Sequence, residues 1–266
     1  MISRLPGLSL PERAWGVVRR WALAWWRILY LGAVVCVLVL SPSSYGKLTR
    51  RALARHLYLD TAPVLLGFTV LAALISLVLT RIVIVTAISY GLSRYALEMV
   101  IRVLVLELIP LTAALFVAMR CTIPNGTQLA LLRQSGHLAR LSHAGADPIR
   151  VELLPRAVAG VFACITLAAL SCVVALVLAY LGVYGFSLAG LPSYTRMFGH
   201  VFAPAVTLVF VIKTVLFSLA VALIPMAAGL YDTGERTQPD SELGGLARMF
   251  AVLLLIEIGS LVGNYY

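Results

Sequence analysis

The sequence predicts an all-α integral membrane protein, in which N-terminal interfacial and re-entrant helices precede about five transmembrane helices. Apolar residues make up 61% of the 266 residues, whereas charged residues make up only 12%. The mean hydropathy is +0.98, and apolar runs of bilayer-spanning length recur along the chain. This composition excludes a soluble globular fold, because such a fold needs far more polar residues at its surface.

The net charge of +10 does not indicate a nucleic-acid-binding protein. Lysine and arginine lie mostly in the connections between apolar runs, where they determine orientation in the membrane. The cysteines Cys36, Cys121, Cys164 and Cys172 are scattered without a paired motif, so neither a disulfide framework nor a metal site is expected. Basic and aromatic residues interrupt the N-terminal apolar sequence, and we therefore expect no cleaved signal peptide.

The predicted N-terminal region covers residues 1–58, and the predicted transmembrane domain covers residues 59–266. Residues 12–40 mix arginine and tryptophan and become purely apolar only from Ile28 to Leu40. Thirteen apolar residues are too few to cross the ~30 Å hydrocarbon layer at 1.5 Å per residue. We therefore expect an interfacial helix followed by a re-entrant or half-inserted helix, which Ser-Pro-Ser-Ser at 41–44 ends.

Five longer apolar runs predict the transmembrane helices. Their approximate bounds are 61–79, 96–119, 157–180, 201–230 and 246–265. Basic residues are concentrated before the first run and in the connection 120–156. The positive-inside rule therefore places the N-terminus and this connection in the cytoplasm and the C-terminus on the opposite side.

The connection 120–156 is predicted to hold one amphipathic helix. Ile-Pro-Asn-Gly at 123–126 is typical of a turn, and Gly145, Asp147 and Pro148 are expected to end the helix. Leucines recur at helical spacing along one face. The opposite face carries Arg133, His137 and Arg140, with His143 near its end. The pattern leaves two roles open, namely contact with lipid headgroups and docking into a partner protein.

Three charged residues interrupt the predicted spans, namely Glu107, Lys213 and Glu257. A charge inside a span typically costs ~2.5–3.5 kcal/mol on insertion scales, so each of them needs a partner or water. Glu107 and Lys213 have opposite charges and are predicted to pair between helices. Such a pair either fixes helix packing or forms a polar patch near a substrate path. Glu98 and Arg102, four residues apart, are expected to pair on one helix face.

The segments LELIPLTAALFVAMR at 106–120 and ADPIRVELLPR at 146–156 resemble the MlaE/YrbE permease family. These proteins are the membrane subunits of MCE-associated ABC transporters, which move phospholipids or other lipids. The resemblance extends over most of the chain and includes Lys213 in VFVIKTVLF. It implies an MlaE-like permease fold, a dimer that encloses a lipid cavity, and a multi-pass location in the bacterial inner membrane.

The resemblance also implies roles and partners. Glu107, Lys213 and Glu257 would lie along the substrate path or its gate. The connection 120–156 would couple to a separate ABC ATPase through Arg133, His137, Arg140, His143, Asp147, Pro148 and Arg150. An MCE-domain protein would exchange lipid on the outer side, a small accessory protein would bind the ATPase, and a second permease chain, identical or different, would complete the dimer.

No enzymatic activity, cofactor or metal is expected in this chain. ATP and Mg²⁺ would bind to the partner ATPase, since the sequence has no Walker A motif. Two alternatives stay open. The first is a non-transporting membrane scaffold or a heterodimer partner subunit. It is supported by Gln128, Gly136 and Ser142, which stand in the coupling segment where relatives have acidic residues. An ion-coupled secondary transporter would use Glu107 and Glu257 as proton carriers, although the sequence shows no internal repeat.

Overall fold

The computed structural model describes residues 10–41, 46–92, 95–231 and 239–265. Within these ranges every extended regular element is a helix. We number the helices α1 (Leu10–Leu40), α2 (Lys47–Ser89), α3 (Ala96–Gln134), α4 (His137–His143), α5 (Ile149–Tyr184), α6 (Leu191–Val201), α7 (Pro204–Tyr231) and α8 (Pro239–Tyr265). α3 contains π-helical turns at Ile101–Leu108 and Ala118–Thr122, and α5 begins with one at Ile149–Leu153.

Among the described residues, six helices are long and apolar enough to cross a bilayer, namely α1, α2, α3, α5, α7 and α8. The prediction of an all-α, multi-pass membrane protein is therefore confirmed. The additional candidate is α1, which runs without interruption where an interfacial and a separate re-entrant helix were expected. Its 20-residue segment Trp21–Leu40 is apolar on average because Arg27 is its single charge. Most of the predicted break at 41–44 lies outside the described residues.

α5 lies at the centre of the bundle and packs against α2, α3 and α7. Small residues recur along its buried faces at intervals of three or four positions, and include Gly160, Ala163, Ala168, Ala175 and Ala179. Small side chains let membrane helices approach closely, so that packing rather than water exclusion holds them together. A Cβ atom at Gly160 would lie only 2.8 Å from the Thr122 Cγ2 atom of α3.

The outer surface of the bundle is apolar. Leu66 is 74% exposed, Val173 58% and Leu255 72%, and each lies on a different spanning helix. In a bilayer such side chains contact lipid tails, which are as apolar as leucine, and their exposure therefore carries no hydrophobic penalty.

The two ends of the bundle differ. We call one of them the loop end. There the C-terminal end of α3 lies beside the C-terminal end of α7, and Leu31 of α1 packs with Leu129 and Leu154. At the opposite end, which we call the α6 end, Val201 packs with Leu97 of α3. The helices α2, α3, α5, α7 and α8 run alternately between these ends.

The turn predicted at 123–126 is wrong, because α3 continues through it to Gln134. Pro124 lies in the first turn after a π-helical segment, where the absence of its N–H group is tolerated. Gly126 serves a close helix contact instead, since a Cβ atom there would lie 2.6 Å from the Pro225 carbonyl oxygen. The helix breaks at Gly136, whose φ of +70° favours glycine. The predicted single amphipathic helix is therefore two elements, the end of α3 and the short α4.

Candidate functional site: a buried charge cluster between three helices

The three charged residues predicted inside the spans meet at one place, which we call the charge cluster. Lys213 of α7 is 2% exposed and forms an ion pair with Glu107, in the first π-helical segment of α3. Its Nζ atom also lies 2.9 Å from the Glu257 Oε2 atom of α8. This second contact is an ion pair whose alignment falls outside hydrogen-bond geometry. The predicted pair of Glu107 and Lys213 is therefore present, and Glu257 joins it.

The backbone of α3 supplies a third acceptor to Lys213, whose Nζ atom donates a hydrogen bond to the Leu106 carbonyl oxygen at 3.2 Å. In an α-helix this carbonyl would accept from the N–H group of residue 110. Residue 110 is proline, which has no N–H group. Pro110 therefore cannot form an α-helical hydrogen bond to this carbonyl, and the Lys213 ammonium contacts three acceptor groups.

The cluster extends along α8. The Asn264 Nδ2 atom donates to the Glu107 Oε1 atom at 3.4 Å. Glu257, Ser260 and Asn264 are spaced i, i+3 and i+7 and so share one face of the helix. Neither Asn264 nor the Leu106 carbonyl was predicted to belong to the cluster. The helical spacing from Glu257 and the position of Pro110 are the signals that would have revealed them.

The cluster lies within the membrane-spanning part of the bundle, nearer the α6 end. Lys213 follows Pro204, the first residue of α7, by nine residues, which corresponds to about 14 Å of helix. The Phe217 ring lies 5.7 Å from its Nζ atom. One ammonium and two carboxylates thus hold α3, α7 and α8 together in apolar surroundings. If these helices move relative to one another, each charged group must find a new partner, since an unpaired charge is costly inside the membrane.

A second polar cluster lies towards the loop end and joins α2 to α3. The Asn125 Nδ2 atom donates to the Asp60 Oδ2 atom at 3.0 Å, and the Cys121 thiol donates to the Asp60 carbonyl oxygen at 3.2 Å. Asn125 is the asparagine of the sequence at 123–126 that was expected to form a turn. Its side-chain amide therefore forms a hydrogen bond between α3 and α2.

Glu152 joins α4 to α5. It forms an ion pair with Arg156, which is 7% exposed, and its Oε1 atom lies 3.6 Å from the His137 Nε2 atom. Asp147 precedes α5, where its Oδ1 atom accepts a hydrogen bond from the Ile149 N–H group at 3.0 Å. The Glu152–His137 contact thus holds α4 to the start of α5, and the Asp147 hydrogen bond fixes the backbone just before α5.

The residues predicted to couple to an ATPase fall into two groups. Arg133 donates a hydrogen bond of 2.6 Å to the Leu230 carbonyl oxygen at the C-terminal end of α7, and His137 contacts Glu152. Both of these residues therefore make contacts within the chain, and Pro148 is half-buried. The exposed group consists of Arg140, His143, Asp147 and Arg150.

Glu152→Ala is expected to release α4 from α5, because it removes the partner of both His137 and Arg156. Leaving the buried Arg156 without its carboxylate partner should cost about 3 kcal/mol and increase the rate of limited proteolysis within residues 135–148. The control is Arg150→Ala, which removes the exposed pair with Asp147 (3.4 Å) and should cost at most about 1 kcal/mol. Equal proteolysis rates for the two variants would contradict this role of Glu152.

Comparison with protein families gives one finding that bears on this site. A family model described as Permease MlaE matches residues 53–261, a region that contains the whole connection 120–156 and all three ionisable residues of the charge cluster. Comparison with curated proteins gives no match. Because the matched region covers well over half of the sequence, the chain belongs to the MlaE permease family.

Proposed function

We propose that this chain is the permease subunit of an ABC-type transporter that moves phospholipid. Membership in the family makes it a membrane permease subunit of a lipid transport system. The observation that supports the finer proposal is the charge cluster. Its three helices are otherwise strongly apolar, and a buried intramembrane charge is by default a sign of function.

In the proposed mechanism two permease chains enclose a lipid cavity between their apolar faces. The lipid tails contact apolar walls, and the headgroup lies near Glu107 and Glu257, whose side chains are 13% and 14% exposed. The Lys213 side chain is only 1% exposed and holds the two carboxylates in place. Movement of α7 relative to α3 and α8 would change these contacts and the shape of the cavity.

The driving force would come from a separate ABC ATPase that binds ATP and Mg²⁺. We propose that it docks at the loop end, on the exposed side chains of Arg140, His143, Asp147 and Arg150. An MCE-domain protein would bind at the α6 end, and a small accessory protein would bind the ATPase. This arrangement corresponds to a protein of the bacterial inner membrane with the loop end in the cytoplasm and the C-terminus in the periplasm.

The partners are tested by affinity purification of the tagged chain from native membranes in mild detergent, followed by mass spectrometry. Recovery of an ABC ATPase together with an MCE-domain protein and bound phospholipid is expected. A chain recovered without an ATPase would contradict ATP-driven transport and favour a scaffold.

Glu107→Gln is expected to slow ATP-dependent transfer of phospholipid in proteoliposomes about tenfold, the equivalent of ~1.4 kcal/mol. It removes one of the two carboxylates that balance Lys213 and hold α3 to α7. The matched control is Glu98→Gln on the same helix, whose 3.1 Å pair with Arg102 lies outside the charge cluster. The measurement compares transfer and ATPase rates at equal protein incorporation. Unchanged rates in Glu107→Gln would remove the charge cluster from the transport mechanism.

A further inference from the structure

The charge cluster contains one more negative than positive group. Lys213 supplies one positive charge, whereas Glu107 and Glu257 supply two carboxylates. The Lys213 ammonium donates hydrogen bonds to Leu106 and Glu107 and forms an ion pair with Glu257. A carboxylate in such apolar surroundings either takes up a proton or is stabilised by a counterion. With both carboxylates ionised, the cluster carries one uncompensated negative charge, which one further cation would neutralise.

The cluster is also short of hydrogen-bond donors. The Asn264 Oδ1 and Ser260 Oγ atoms are buried without a hydrogen-bond partner, and Ser260 as a whole is only 6% exposed. Ser260 lies between Glu257 and Asn264 on the same face of α8. A buried polar atom that lacks a partner destabilises the fold, so a donor that reaches this face would be stabilised. The unpartnered atoms and the excess negative charge thus both favour a ligand that carries a positive charge and hydrogen-bond donors.

We propose that the charge cluster binds the primary ammonium of an ethanolamine headgroup. An ammonium supplies one positive charge and three N–H donors, which match the excess carboxylate and the unpartnered oxygens of α8. A choline headgroup has the charge but no N–H donor, and a glycerol headgroup has no positive charge. The ligand would approach the partly exposed carboxylates rather than the enclosed Lys213. This proposal rests on the proposed function, because it names the lipid class that the permease prefers.

A small monovalent cation has part of the same chemistry. Na⁺ would neutralise the excess charge and accept oxygen ligands from Glu257, Ser260 and Asn264. A test must therefore separate the lipid ammonium from a free ion.

The test measures which lipids the purified full-length chain retains in nanodiscs of equimolar phosphatidylethanolamine, phosphatidylcholine and phosphatidylglycerol, by native mass spectrometry. We expect phosphatidylethanolamine to be retained about tenfold over the other two, the equivalent of ~1.4 kcal/mol. Glu257→Gln should abolish this preference, and Ser260→Ala should reduce it with little change in volume. Glu98→Gln, outside the cluster, should retain it.

Equal retention of phosphatidylethanolamine and phosphatidylcholine would overturn the proposal, and so would a preference that survives in both Glu257→Gln and Ser260→Ala. Binding of ²²Na⁺ that is lost in Glu257→Gln, without any headgroup preference, would assign the site to the ion. Parallel transfer assays separate this result from the proposed function. ATP-dependent transfer of all three lipids at equal rates contradicts the headgroup preference alone, whereas no transfer of any of them contradicts the permease function.

Discussion

Lys213→Met is expected to destabilise the protein by about 3–5 kcal/mol, the cost of breaking a buried ion pair on one side. The substitution keeps the length and the apolar stem of the side chain. It removes the ammonium that contacts both Glu107 and Glu257 and leaves the Leu106 carbonyl without this donor. Two carboxylates then face each other in apolar surroundings. The measurement is unfolding of the purified chain in detergent, followed by loss of helical circular dichroism.

The control is the triple variant Glu107→Gln, Lys213→Met and Glu257→Gln, which removes all three charges. Replacement of a complete buried ion cluster by neutral groups of similar volume is often close to neutral in stability. The triple variant should therefore recover most of the stability lost in Lys213→Met, while transport stays impaired. If Lys213→Met and the wild-type chain unfolded under the same conditions, the ammonium would not be needed to stabilise the two carboxylates. The cluster would then have no structural role.

Gly229→Ala is expected to separate α7 from α3 at the loop end. A Cβ atom at position 229 would overlap the carbonyl oxygen of Gly126, which is backbone and cannot move aside without shifting a helix. Gly126→Ala meets the reverse obstacle, the Pro225 carbonyl oxygen at 2.6 Å. Overpacking of this kind typically costs about 1–3 kcal/mol. Both variants should unfold at lower temperature in the same detergent assay.

The same contact lies between the proposed docking site and the charge cluster, because α3 runs on to the loop end and α7 carries Lys213. We therefore expect Gly126→Ala to reduce lipid transfer per ATP hydrolysed more than it reduces ATP hydrolysis itself. The matched control is Gly67→Ala, at an exposed position within α2 where a Cβ atom meets nothing within 4 Å. Alanine there should stabilise the helix by roughly 0.5–1 kcal/mol. A similar loss of stability in Gly67→Ala and Gly229→Ala would show that the helix contact is not the cause.

The class of the protein and the positions of its main helices follow from the amino-acid sequence alone. Hydropathy is a local property, so runs such as 61–79 and 157–180 locate spanning helices without knowledge of the fold. The same reasoning singled out Glu107, Lys213 and Glu257, since each stands alone among apolar residues. The i, i+4 spacing of Glu98 and Arg102 also predicted their observed pair, because both lie on one helix.

The partners of the polar groups in distant segments, in contrast, depend on how the helices pack. The contact between Leu106 and Lys213 joins residues 107 positions apart. Pro110 marks the Leu106 carbonyl as lacking an α-helical donor, but no local pattern in the sequence identifies Lys213 as its partner. Gly126 and Asn125 were typical of a turn, yet in the fold they contact α7 and α2 inside a continuous helix. A glycine serves a turn or a close helix approach equally well, because both require the absence of a Cβ atom. Which of the two applies depends on whether another helix lies against the glycine, and this is determined by the packing of the bundle.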